Sequence, residues 1–386
     1  MIQREAQHEQ SQYGQESGRL MTSCGGIIAD VMGLGKTLTV LASILYSASD
    51  AEAFQRSTLT TSDTQEFQLY TKATLVVVSS TQLLDSWCSE VKRHFDPGVL
   101  NISMFHGLSR QQDLRALAGS DIVLTTYATI VAEEKGKNTL QQLCWFRIVL
   151  DEAHWIRNAR SKTFRAVTGL LARNRWCLTG TPVQNKLEDI ASLAAFLQLQ
   201  PFPTKGEFQR RVLDPLFQGG NNFSKPLRTW LRAVCIRRTE KLLQLPESKE
   251  ETISVILSPP ERQLYDRVLY EIKHDIDDNV SKGKNIKNYN ILLNLTVANR
   301  VHIVEPQWNP SVEEQAVARA LRMGQEREVT VFRYVAQGTV EQNIMHLQKK
   351  KKIVAKFMFN VGVAEELNGR LEDLKFVLSL NSKPKS

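Results

Sequence analysis

From residue 73 to residue 182, short apolar runs rich in β-branched residues alternate with helical stretches. ATLVVVSS leads into a helix through Trp87 and Val91, NISMFHG leads into LSRQQDLRAL, and DIVLTTY, FRIVLDE and RWCLTGT follow. Strands and helices alternating at this spacing predict a mostly parallel sheet with helices on both faces. Upstream, GGIIADVMGLGKT at 25–37 reads as a strand running into a glycine-broken turn. The strand signal fades over 187–240, which reads as helices broken by Pro201, Pro203 and Gly219-Gly220-Asn221-Asn222. Within 259–280, Leu264, Val268, Ile272 and Ile276 recur at steps of four and predict an amphipathic helix. ILLNLTVANRVHIVE and EVTVFRYVA predict two further strands on either side of the helix VEEQAVARALRMG, and a last helix covers 339–358.

Two stretches lack any apolar period. Residues 1–22 are polar and Gln-rich, as a disordered tail or the end of a larger preceding element would be. Residues 47–72 are rich in Ser, Thr, Asp and Gln and predict a surface insertion. The resulting division is a tail at 1–22, a first domain at 23–245, a linker with an amphipathic helix at 246–285, and a partial second domain at 286–386.

Composition adds the class of protein. A chain of 386 residues, 42% apolar and 23% charged, has room for two ordinary soluble domains. Its longest apolar runs are too short to cross a bilayer and its N-terminus lacks a signal-peptide core, so an intracellular protein without a membrane partner is expected. The five cysteines form no C-x-x-C pair, which argues against a disulfide framework and against zinc. The net charge of +8 fits a partner with a phosphate backbone, although many basic proteins bind none.

The candidate chemistry begins in the glycine-broken turn. Gly33 and Gly35 can adopt backbone angles closed to other residues, so that N–H groups around Leu34 converge on an anion where a helix starts near Lys36. Lys36 would reach the β- and γ-phosphates of ATP, and the Thr37 hydroxyl would bind Mg2+. The strict pattern G-x-x-x-x-G-K-[ST] has Gly first, whereas Asp30 stands there in this chain. In FRIVLDEAH an apolar strand delivers Asp151 and Glu152 at its C-terminal end, the edge where ligands sit in such sheets. Asp151 is then the natural Mg2+ ligand, and Glu152 the base for the attacking water. Glycine-rich turns and capped helix starts offer structural readings of both segments.

Together with LTGTPVQN at 178–185 and WNPSVEEQAVARALRMGQ at 308–325, these segments make the chain resemble the Swi/Snf family of helicase-like, DNA-translocating ATPases in helicase superfamily two. The motifs ADxMGLGKT, DEAH and LTGTPxQN occur in family order, and RRTEKLLQLPESKEE is most similar to the subgroup containing the helicase-like transcription factor. The resemblance implies two RecA-like lobes, a DNA-dependent ATPase, and double-stranded DNA as partner, with nucleosomes or repair proteins beside it in the nucleus. It implies DNA-backbone contacts from Ser79, Ser80, Thr81, Thr125 and Thr126, whose residue types also suit helix caps. Coupling of nucleotide state to lobe closure is implied for His154, Thr179, Gly180 and Thr181. Arg319 and Arg322 match the family's arginine fingers and, three residues apart, would share a helical face. Gln325 belongs to the same nucleotide-binding motif.

The chain also departs from the family. About 55 residues lie between SKGKN and the end of FRYVAQGT, where a lobe takes on the order of 150. The expectation is an internal deletion near 283–292 rather than an early stop, since EDLKFVL resembles the family's C-terminus. The RING insertion and the adenine-recognising glutamine segment find no match, and Gln307 replaces one of two paired tryptophans, leaving Trp308. A stable first lobe joined to a poorly packed remnant of the second is expected. Such a remnant would misplace the arginine fingers, whose loss costs ~10³ to 10⁵ in rate. The alternative is a nucleotide-dependent DNA- or protein-binding pseudo-ATPase without turnover.

Overall fold

The computed structural model describes residues 1–5, 24–31, 33–57, 69–107, 110, 113–134, 136–180, 188–199, 202, 204–218, 225–238, 245–246, 248–263, 265–267, 296–322 and 324–359. It divides into two units, Met1–Leu243 with Ala355–Ser386, and Gln244–Val354.

The first unit is built on seven strands: β1 (Cys24–Ile28), β2 (Leu69–Val78), β3 (Ile102–Met104), β4 (Ile122–Thr126), β5 (Leu143–Leu150), β6 (Leu171–Leu178) and β7 (Cys235–Ile236). Their order is β3-β4-β2-β5-β6-β1-β7, and every pairing is parallel. Parallel neighbours require crossovers, which here are mostly helical. Those crossovers cover the sheet, so its central strands carry near-continuous apolar sequence, and β5 is buried along its whole length. Gly25, at φ +147, lies so close to β6 that a Cβ there would stand 1.8 Å from the Arg175 carbonyl oxygen, so β1 needs glycine at that position.

The helices of this unit are α1 (Lys36–Tyr46), α2 (Ala48–Arg56), α3 (Thr81–His94), α4 (Leu114–Ala118), α5 (Tyr127–Glu133), α6 (Lys162–Thr168), α7 (Glu188–Leu197), α8 (Lys205–Phe208), α9 (Asp214–Gln218) and α10 (Lys225–Val234). The Ser- and Thr-rich stretch at 47–72 is not simply a surface insertion. Its first part is α2, which buries Ala51 and Phe54 against Cys144, Phe146 and Tyr70, and its last part opens β2. The stretch between them lies outside the described residues. The sequence stretch expected to be all helical also contributes β7, two residues that extend the sheet beside β1.

The second unit carries a three-stranded parallel sheet in the order β8-β10-β9, made of β8 (Ser248–Val255), β9 (Arg300–Ile303) and β10 (Val329–Ala336). The two strands expected around the helix α11 (Pro310–Ala320) are β9 and β10, and α12 (Val340–Phe359) follows. Strand β8 falls where a linker was expected. All eight of its positions are exposed, and its first five residues, SKEET, carry no apolar side chain that would mark a strand in the sequence. The amphipathic helix expected over 259–280 lies mostly outside the described residues. Apolar packing joins Ile303, Ala320, Val329 and Val331. A polar cluster sits beside it: Glu313, 3% exposed, accepts from Arg333 Nε at 3.1 Å, from the Gln307 amide at 2.8 Å and from Gln348 Nε2 at 2.6 Å.

One charged residue in the middle of β5 shapes the first unit. The Arg147 side chain is fully buried, and its guanidinium donates to both Glu5 carboxylate oxygens at 2.9 and 2.7 Å and to Ser47 Oγ at 2.9 Å. Trp176 Nε1 donates to Glu5 Oε1 at 2.8 Å. The first residues of the chain, expected to be a loose tail, therefore supply the counter-charge of the central strand. Burial alone would raise the Glu5 pKa, but Arg147 and Trp176 outweigh it and hold the carboxyl below 4.5. Glu5→Ala is expected to cost about 3–5 kcal/mol by leaving the buried guanidinium unpaired, whereas Glu5→Leu with Arg147→Met recovers most of that. Because the Glu5 pKa is depressed on folding, its contribution is complete above the ordinary glutamate value and fades as pH falls through the lowered one. Urea unfolding at neutral pH and near pH 4 checks both points, the double variant losing less stability in acid than the wild type.

Candidate functional site

All the candidate segments of the first unit leave the C-terminal ends of parallel strands. After β1, Asp30 is fully buried, and the chain turns through Gly33 (φ 85) and Gly35 (φ 73) before α1 begins at Lys36. Both glycines occupy left-handed backbone, which other residues adopt only at a cost. Gly35 is the N-cap of α1, and no side chain caps this helix. A helix start presented in this way can receive an anion on backbone N–H groups. Lys36 Nζ donates to the Asp30 carbonyl oxygen at 3.0 Å. Burial lowers the lysine's pKa, and Glu152, Asp151 and Asp30 partly oppose that shift, so the ammonium and the three carboxylates share one electrostatic environment. Thr37, half-buried, follows on the first turn of α1.

Asp151 continues the line of β5, its N–H donating to the Val77 carbonyl oxygen of β2 at 2.9 Å. Its Oδ1 accepts from the Glu152 N–H at 3.0 Å and its Oδ2 from Trp87 Nε1 at 3.0 Å. Burial and the neighbouring Glu152 push its pKa up to about 6, against the opposing influence of Trp87 and Lys36. Asp151 and Glu152, both half-buried, stand beside Lys36, and a cation placed there would offset the repulsion between the two carboxylates. Oxygen donors such as Asp151 and the Thr37 hydroxyl suit Mg2+. Glu152 itself has φ 49 and ψ 54, a left-handed conformation of the kind that is strained in a non-glycine residue and clusters at functional sites. His154 Nδ1 lies 3.2 Å from Glu152 Oε2, outside hydrogen-bond geometry, and pairs with it when protonated.

The other expected site residues are placed unequally. Thr179 is buried at the end of β6 and donates its N–H to the Ile28 carbonyl oxygen at 3.0 Å, next to the glycine turn. Gly180 follows it, and Thr181 lies outside the described residues. Ser79 and Ser80 leave β2 with buried hydroxyls that have no partner among the described residues, and Ser80, although the N-cap of α3, makes no side-chain cap bond. The capping reading therefore fails for Ser80. It holds for Thr126, whose Oγ1 accepts from the Thr129 N–H at 3.2 Å. Thr125 is fully buried and donates to the Phe105 carbonyl oxygen at 2.9 Å, so neither of these two hydroxyls is open to a ligand. Thr81 is exposed at the first turn of α3.

In the second unit the expected helical pairing of Arg319 and Arg322 is absent. Helix α11 stops at Ala320 and Leu321, at φ −95 and ψ 82, breaks its phase before Arg322. Gln325, 6% exposed, explains the stop, since its amide donates to the carbonyl oxygens of Ala320, Ala298 and Thr296 at 2.8–3.0 Å. That side chain is committed to its own unit rather than to a nucleotide.

Three residues at the first unit's site escaped the sequence reading. Trp87 holds Asp151 Oδ2, and Tyr127 donates its hydroxyl to the Asp151 carbonyl oxygen at 2.9 Å. Arg238, just after β7, holds the Asp30 carboxylate: its backbone N–H donates to Oδ1 at 2.7 Å, and its Nε and Nη2 donate to Oδ2 at 2.9 and 2.5 Å. The departure from Gly at the head of the turn thus has a structural cause, because Asp30 faces a guanidinium and not the ligand side. The pair RR at 237–238 was visible in the sequence, but nothing local connects it to position 30.

Comparison with known proteins gives the family. Residues 1–307 match the family model described as the SNF2-related domain. The chain is 35% identical over 305 residues to a SWI/SNF-related matrix-associated actin-dependent regulator of chromatin subfamily A member 3-like protein of Arabidopsis thaliana, covering 70% of this chain and 34% of that protein. It is 32% identical over 317 residues to DNA repair protein RAD5A of Arabidopsis thaliana, covering 72% and 31%. It is 32% identical over 267 residues to the helicase-like transcription factor of Oryctolagus cuniculus, covering 67% and 26%. The chain therefore spans about a third or less of the length of these relatives. With most of its residues inside the family model and relatives of one kind across it, the chain belongs to the SNF2-related domain family.

Proposed function

We propose that the first unit binds ATP with Mg2+ and that the chain is the engine, or part of the engine, of a DNA-dependent ATPase that moves along double-stranded DNA in chromatin or DNA repair, in the nucleus. The observation that carries this reading is the gathering of Lys36, Asp151 and Glu152 beside an uncapped helix start at one edge of the sheet. Backbone N–H groups from Gly33 to Thr37, with the Lys36 ammonium, would hold the phosphates. Asp151 and Thr37 would hold the metal ion, which when bound neutralises charge on the phosphates. Trp87 and Tyr127 fix Asp151 from its carboxylate and carbonyl sides. Glu152 then acts as the base that orients a water and accepts its proton. The hydroxyls of Ser79 and Ser80, without a partner among the described residues, suit a phosphate backbone, a contact that positions a protein without reading sequence. His154, Thr179 and Gly180, set around the same edge, would pass the nucleotide state onward.

A second reading, a nucleotide-dependent binding module without turnover, is favoured by the second unit. Its sheet has three strands among the described residues, and Arg319 and Arg322 share no helical face. On this reading loss of the central strands of the second lobe has cost the arginine fingers their placement. Lys36→Ala is expected to weaken nucleotide binding on the order of tenfold to a hundredfold, the loss of a charge-assisted hydrogen bond of about 1.5–3 kcal/mol. Glu152→Gln should retain binding and lower any turnover by ~10² to 10⁴. ATP hydrolysis measured with and without duplex DNA separates the two readings. Stimulation by DNA that is lost in Arg319→Ala and Arg322→Ala supports an intact engine, whereas binding without turnover supports the module.

A further inference from the structure

We propose that Arg238 is a positioning residue that bridges both ends of the phosphate loop and transmits its nucleotide state to the chain leaving the first unit, with Asp30 as its anchor. The inference rests on the nucleotide reading above and explains why Asp rather than Gly heads the loop.

Asp30 is fully buried, and its φ is not positive, so its backbone does not require glycine. Its carboxylate is satisfied by three donors of Arg238: the backbone N–H, Nε and Nη2. The same guanidinium reaches the far side of the loop, where Nη2 donates to Thr39 Oγ1 at 3.0 Å. That hydroxyl in turn donates to the Gly35 carbonyl oxygen at 3.0 Å. One planar group thus ties the residue that enters the turn to the first turn of the helix that leaves it. A planar fork suits this double engagement, which the point charge of a lysine cannot reproduce.

The other end of the device is the main chain. The Ala29 N–H donates to the Ile236 carbonyl oxygen at 2.7 Å, so the segment bearing Arg238 is laced to β1 immediately before the loop. The second unit begins at Gln244, a few residues on. Lys36 Nζ rests on the Asp30 carbonyl oxygen. When the ammonium turns to a phosphate, Asp30 loses that donor while its carboxylate remains in the grip of Arg238. The movement of the loop is therefore felt at Arg238.

The Arg238 amide reports the event directly, since its proton lies on Asp30 Oδ1. Hydrogen exchange of peptides containing that amide is measured in the 386-residue chain without ligand and at saturating Mg-ADP, for wild type, Arg238→Lys and Thr39→Val. In the wild type, nucleotide is expected to slow exchange there by about tenfold, as ordering of the loop closes local openings. In Arg238→Lys the nucleotide-dependent change is lost although the variant is saturated, and in Thr39→Val, which removes one strut only, it shrinks. A response of wild-type size in both variants, or none in a wild type that binds Mg-ADP, overturns the role of Arg238. A wild type that shows no binding of Mg-ADP overturns the nucleotide reading and this inference with it.

Discussion

Every strand of the large sheet runs in the same direction, and that constraint organises the rest of the molecule. Parallel strands end together, so the loops after β1, β2, β4, β5 and β6 emerge along one edge. Asp30 and the glycine turn, Ser79 and Ser80, Thr126, Asp151 and Glu152, and Thr179 all stand there because of it. Sheet hydrogen bonds run into the site itself: Asp151 donates to Val77, and Thr179 to Ile28. The chemistry is thus held by the ladder that holds the fold.

Charge is the second organising element. The first unit buries Arg147 and Asp30 fully, and each is matched by a residue far away in the chain, Glu5 and Arg238. An unmatched partner at either place would be costly, which makes such pairs specifiers of register and segment position as well as contributors to stability. The site differs in kind. Asp151 and Glu152 sit together with Lys36, and burial, with the neighbouring Glu152 charge second to it, raises the Asp151 pKa.

The alternation of strands and helices, the glycine turn and the carboxylate-bearing strand end were legible in the sequence because each is a local pattern. What escaped the sequence is non-local or lacks an apolar period. Helix α2 hides in a polar stretch and is fixed by Phe54 meeting Phe146 and Tyr70. Strand β8 is exposed at every position, and its polar first half, SKEET, gives no strand signal. The end of α11 is set by Gln325 folding back on Ala320, which the helical spacing of Arg319 and Arg322 could not foretell. Neither Glu5 nor Arg238 carries a local sign of its partner. Thr125 and Thr126 matched a pattern of ligand contacts by residue type, yet their hydroxyls are used internally.

The central claim is that the glycine turn and the carboxylate pair form one Mg-nucleotide site. A crystal structure of the chain grown with ADP and Mn2+, with the metal located by its anomalous signal, tests it most directly. The account predicts the metal bound at Asp151, directly or through one water, and at the Thr37 hydroxyl, with the β-phosphate over the N-terminus of α1 and Lys36 turned from Asp30 to the phosphate. Nucleotide or metal bound elsewhere, or a Lys36 still on the Asp30 carbonyl beneath a bound phosphate, would contradict it.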